Sequence, residues 1–95
     1  MGERKIIRRR YLFKGGVQGV GFRYTASYAA QAMNLTGWVA NCWDGSVEME
    51  IQGTSLEIAQ VIQTIRHGRY IEIDEIEMKE IPVEADERSF RIRHC

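Results

Sequence analysis

The chain has 95 residues, enough for one domain, 1–95, with a modest core. Its 13 basic and 13 acidic residues give a formal net charge of zero, which argues against a dedicated nucleic-acid binder. The two cysteines, Cys42 and Cys95, form neither a disulfide framework nor a metal-ligand spacing, and there is no signal segment or run of transmembrane length, so a cytoplasmic protein without a membrane partner is expected.

Charge is unevenly spread. Met1 to Arg23 holds seven basic residues and one acidic, whereas Tyr70 to Glu87 holds eight acidic residues and one basic, Lys79. The basic part favours a small anionic ligand through local charge. In chain order, Ile6 to Lys14 is predicted as a strand, with Ile7, Tyr11 and Phe13 on one face and Arg8, Arg10, Leu12 and Lys14 on the other; Arg9 interrupts the apolar face. A solvated basic edge strand accounts for "RKIIRRR". "GGVQGVGFR" follows, Gly15 to Arg23, and opens into an amphipathic helix from Phe22 to Met33, with Phe22, Ala26, Ala29, Ala30 and Met33 at helical spacing. Thr36 to Cys42 forms a second strand, Asp44-Gly45 a tight hairpin turn, and Val47, Met49 and Ile51 the apolar face of a third strand.

Thr54 to Glu57 is a capping-box match, and Ile58, Val61, Ile62 and Ile65 give the helix behind it an apolar stripe that ends near His67-Gly68. Ile71 and Ile73 alternate in one phase and Ile76 and Met78 in the other, which predicts a bulge or turn near Asp74-Glu75. Phe90 and Ile92 mark a last short strand. The order β-α-β-β-α-β, with that strand as an optional fifth, predicts an α+β ferredoxin-like α/β sandwich: a four- to five-stranded antiparallel sheet with two helices on one face. That fold does not specify a function.

The glycine loop is either a plain strand-to-helix connection or an anion cradle. Glycines at 15, 16, 19 and 21 leave only Val17, Gln18 and Val20 with side chains in the loop. Consecutive N–H groups can then converge on one oxyanion, and the helix N-terminus adds unpaired donors and partial positive charge. Arg23, in the first helical turn, can pair two oxygens of a phosphate or carboxylate. No GK[ST] follows and the spacing does not fit GxGxxG, so neither common nucleotide loop is present. Glu48 stands six residues after Cys42, where a thiol phosphatase needs arginine. His67 and His94, near element ends, read as surface residues, and no cluster has metal-ligand spacing. Direct attack by water remains, which suits a substrate with a good leaving group, such as the mixed anhydride of a carboxylic acid and phosphate.

"FKGGVQGVGFR" (Phe13 to Arg23) and "GWVANCWDGSVEMEIQG" (Gly37 to Gly53) resemble the two signatures of the acylphosphatase family, and "SFRIR" resembles its last strand. Phe13 replaces a usual aliphatic residue, Gly16 makes the cradle more flexible, and the stretch around 68–88 resembles the family only loosely. The resemblance implies hydrolysis of acyl phosphates to carboxylate and inorganic phosphate, with no metal or cofactor and with phosphate as a competitive ligand. It implies that Arg23 and the loop amides of Gly16, Val17, Gln18, Gly19 and Val20 bind the phosphoryl group, and that Asn41 orients the attacking water. On spacing alone Asn41 reads first as a turn-capping residue, and it is the second signature that favours the water-holding role, for which its amide has the donor and acceptor. The Gln18 side chain is expected to brace the loop. Trp38, Trp43, Tyr24 and Tyr28 are packing or rim residues, and Cys42 points to the face opposite Asn41. A cytoplasmic monomer that binds no nucleic acid is expected. A catalytically idle acylphosphatase-like module that merely binds an anion is the alternative.

Overall fold

A computed structural model of the chain describes residues 4–94; Cys95 lies outside them. The elements are β1 (Ile7–Gly16), α1 (Phe22–Ala32), β2 (Thr36–Asn41), β3 (Val47–Gly53), α2 (Ser55–Arg66), β4 (Glu72–Ile81) and β5 (Phe90–His94). They form one five-stranded sheet in the order β4-β1-β3-β2-β5. Both helices cover the same face. There Phe13, Val39, Met49 and Ile51 of the sheet pack against Phe22, Ala26 and Ala30 of α1 and Ile58, Val61 and Ile65 of α2. This is the expected ferredoxin-like α+β architecture.

Local chemistry explains each element. At α2, Glu57 N–H donates to Thr54 Oγ1 at 3.2 Å and Thr54 N–H donates to Glu57 Oε1 at 3.0 Å, the reciprocal pair of a capping box. The bond from the Thr54 main chain chiefly holds the Glu57 carboxyl below its ordinary range. β4 runs unbroken through the phase change at Asp74. Lys14 pairs with Glu75 and Gly15 with Ile73, so Asp74 is the extra residue of a bulge. Glycine is required opposite it: Gly15 sits at φ 127, and a Cβ there would lie 2.6 Å from the Glu72 carbonyl oxygen.

Two expectations are corrected. First, β5 pairs in parallel with β2, so the sheet is mixed. β4 occupies one edge beside β1, and the 82–89 segment returns across the open face to the other edge. Gln52 holds that segment by accepting from Glu84 N–H at 2.8 Å and donating to Glu84 O at 3.1 Å. A strand entered from that side runs the same way as β2. Second, β1 is no edge strand, because β4 and β3 flank it. Its arginines face the acidic rows on either side. Arg8 is only 2% exposed and donates to Glu87 at 2.6 and 3.2 Å, to Glu50 at 3.0 Å and to Gln52 at 3.2 Å. Arg10 donates to Glu48 at 2.6 Å, and Lys14 pairs with Glu77 at 3.2 Å. Arg8, Arg10 and Lys14 thus spend their charge on carboxylates of the sheet rather than on the glycine loop. Arg9 lies on the helix-covered face, where its Nε is buried with no hydrogen-bond partner among the described residues.

Candidate active site

β1 and β2 each run antiparallel to β3, so their C-terminal ends lie at the same end of the sheet. The glycine loop leaves β1 there, and the β2–β3 hairpin leaves β2 there. α1 begins at that end too. Topology alone therefore gathers the three parts of the predicted site.

The loop proper is shorter than its glycines imply. Gly15 and Gly16 are the last pairs of the β1–β4 ladder, opposite Ile73 and Glu72. Val17 turns its side chain fully into the core, which anchors the start of the loop. Gln18 braces it: its Nε2 donates to Cys42 O at 2.6 Å and to Ser46 O at 2.8 Å. The cradle is thereby tied to the hairpin behind Asn41. The hairpin is itself ordered by Cys42 N–H donating to Ser46 O at 2.8 Å, and by Asp44, whose carboxylate accepts from Ser46 Oγ at 2.6 Å and Ser46 N–H at 3.0 Å. The Ser46 hydroxyl, followed by its N–H, holds the Asp44 carboxyl below its ordinary range.

Between Gln18 and α1 the backbone is left open for a ligand. Gly21, the N-cap of α1, is left-handed at φ 82 and offers no side chain to cap the helix, and the first turn holds no acidic residue. Gly19 is also left-handed, at φ 73. The first helical bond is donated by Thr25 N–H to Gly21 O at 3.0 Å. Among the described residues, the N–H groups of Val17, Gln18, Gly19, Val20 and Gly21 donate to no protein acceptor. Such a run of free donors at an uncapped helix start, with left-handed glycines at 19 and 21, has the geometry with which a nest can hold an anion. Arg23 stands half-buried in the first turn and has no ion-pair or hydrogen-bond partner among the described residues. A cation there opposes the helix dipole, and a bound anion would offset that repulsion.

Asn41 is the last residue of β2. It shares a face with buried Val39 and lies opposite buried Val47, so its side chain is on the helix-covered face. The amide has no hydrogen-bond partner among the described residues, which leaves donor and acceptor available. Cys42 points the other way, its Sγ 4.0 Å from Glu48 Oε1 on the open face. Trp43, Tyr28 and Tyr24 are exposed rim residues, and Trp38 lies on the open face under the Arg93 guanidinium, 4.6 Å from its ring centre. His94 was expected at the surface, and it is exposed; it is also the register partner of Asn41 in the parallel β2–β5 pair. Nothing in the sequence signals that neighbour, because it depends on the parallel return of β5. Among the described residues no three His, Cys, Asp or Glu side chains gather into a metal site.

The brace yields a prediction. Gln18→Ala should unhook the cradle from the hairpin and lower phosphate affinity and kcat together by roughly tenfold, about the worth of one or two neutral hydrogen bonds. Isothermal titration with phosphate and steady-state kinetics check it; an unchanged pair of constants would show that the loop holds its shape unaided.

The acylphosphatase family model matches residues 9–92. A curated acylphosphatase of Clostridium acetobutylicum is 43% identical over 86 residues, covering 87% of this chain and 94% of its own length. The crystal structure of acylphosphatase from Bacillus subtilis superposes with a TM-score of 0.83 at 30% identity, over 92% of this chain and 98% of that one. Full-length HypF in its phosphate- and nucleotide-bound form matches with a TM-score of 0.84 at 32% identity, over 97% of this chain but 12% of that larger protein.

Proposed function

This chain belongs to the acylphosphatase family, and from that premise we propose how it hydrolyses the carboxyl–phosphate bond of an acyl phosphate. The phosphoryl oxygens bind the open loop amides of Val17 to Val20, with Gly16 at the end of the ladder beside them, and the guanidinium of Arg23. Asn41 holds a water on the far side of phosphorus from the leaving oxygen. The water attacks, the phosphorus–oxygen bond to the acyl group breaks, and a carboxylate departs. A carboxylate is stable enough to leave without a general acid, so positioning and charge stabilisation suffice. The carrying observation is the open run of N–H donors beside an unpaired Arg23, tied through Gln18 to the hairpin of Asn41.

The same reading takes the enzyme as a cytoplasmic monomer acting on a small acyl phosphate, and without a nucleic-acid partner, the last of which a net charge of zero supports. No helix among the described residues is long and apolar enough to cross a membrane. No metal enters the scheme, because the donors to the phosphoryl group are main-chain N–H and guanidinium. The test is carboxylate release from a simple aryl acyl phosphate. The rate should be unchanged by EDTA, independent of added Mg²⁺, and competitively inhibited by inorganic phosphate. Phosphate binding without turnover would instead indicate an idle anion-binding module, and strict dependence on a divalent ion would refute the metal-free scheme.

A further inference from the structure

His94 takes no part in the scheme above, yet the fold sets it beside a residue that does, Asn41. It is the register partner of Asn41, and both side chains lie on the helix-covered face, since Phe90 two pairs earlier on that face is buried in the core. α1 fixes its other neighbour. Gln31 Nε2 donates to Phe90 O at 3.4 Å and to Ser27 Oγ at 2.9 Å, so Gln31 is level with the start of β5. From Phe90 to His94 the strand rises about 13 Å. From Gln31 back to Arg23 the helix rises about 12 Å in the same direction, because α1 runs antiparallel to β5. Gln31, Ser27 and Arg23 are spaced four apart and share a helix face. His94 therefore stands level with Arg23, with Asn41 on the adjacent strand.

We propose that His94 is a third substrate-facing group of this site: its imidazolium attracts the phosphoryl oxyanion and makes anion affinity rise on acidification. The inference rests on the phosphate cradle described above. Asn41 of β2 faces His94 in register, and Arg23, with the exposed Tyr24 and Tyr28 beside it, is at the level of His94 on α1; Cys42 of β2 and Arg93 of its own strand lie on the opposite side, the latter against Trp38. Guanidinium, phenol and thiol ordinarily keep one charge state between pH 5 and 8, and imidazole is the side chain that changes there. The sign follows from linkage. An anion that prefers the imidazolium binds best below the free imidazole's pKa. That gain is lost as pH rises through the pKa of the complex.

Sulfate is the probe, because it keeps its charge across this range whereas phosphate does not. Its affinity for the whole chain should be roughly five- to twentyfold higher at pH 5.5 than at pH 7.5, the scale of one added charge a few ångströms from a dianion in a wet site. His94→Gln should bind at pH 5.5 no better than the parent at pH 7.5. His94→Lys, charged throughout, should bind tightly at both. His67→Gln, at the end of α2 with its Nδ1 2.7 Å from Gln63 O, should keep the parent's pH dependence. A flat parent profile, or a slope that survives His94→Gln, would overturn the inference while leaving the cradle standing. Sulfate binding that is absent from the parent, or unaffected by Arg23→Ala, would overturn the cradle and the inference with it.

Discussion

Arg23→Ala should lower kcat/KM for an aryl acyl phosphate by about 10²- to 10⁴-fold, because two charge-assisted hydrogen bonds of ~1.5–3 kcal/mol each are lost from the phosphoryl group. The same change should leave the melting temperature unchanged or raise it slightly. The arginine has no partner within the protein among the described residues, and it sits at the positive end of α1, where a cation is unfavourable by about 0.3–1 kcal/mol. Alanine is also the better helix former. Activity and stability should thus move in opposite directions, which separates a ligand-binding arginine from a structural one. Arg23→Lys restores the charge but not the planar fork and should recover little. Near-normal turnover in the lysine variant would mean that the site needs only a point charge.

Arg8 is the counter-example in the same chain. It is the other arginine whose environment matters, and the sequence pattern treats it as one of a solvated row. Its burial follows from β4 closing over the far edge of β1 and from the 82–89 segment crossing the open face, so that Glu87, remote in sequence, reaches it at 2.6 Å. No local pattern carries such a contact. The near-sequence features were legible because their causes are local. The Thr54–Glu57 cap, the Asp44-Gly45 turn and the bulge at Asp74 each rest on a few adjacent residues. The open loop at the start of α1 was legible for the same reason, since loop, helix start and Arg23 are contiguous. Asn41 was placed at its strand end by the hairpin alone. His94 was not legible beside it, because that adjacency requires β5 to return in parallel on the edge opposite β4. The basic arm misled for the converse reason: its charges were counted along the chain, whereas Glu48, Glu50, Glu77 and Glu87 pair those of Arg8, Arg10 and Lys14 in space.

Asn41→Ala should lower kcat by ~10²-fold or more while leaving phosphate affinity within a few-fold of the parent, the cost expected when a single positioning group is removed and geometry is decisive. The split follows from where the residue stands. The cradle's donors come from the glycine loop and α1, and their bracing runs from Gln18 to the carbonyls of Cys42 and Ser46, so removing the Asn41 amide leaves every phosphate contact and its support in place. Folding should suffer little, since the amide makes no hydrogen bond among the described residues. Asn41→Asp keeps the shape but brings a carboxylate toward an anionic substrate, so it should weaken phosphate binding as well as turnover. It should do so more at pH 8 than at pH 5, where protonation begins to remove the added charge. Rapid-mix kinetics and phosphate titration on the two variants decide the matter. Unchanged kcat with phosphate binding lost in Asn41→Ala would put the asparagine among the phosphate ligands, and the attacking water would then have no group to hold it.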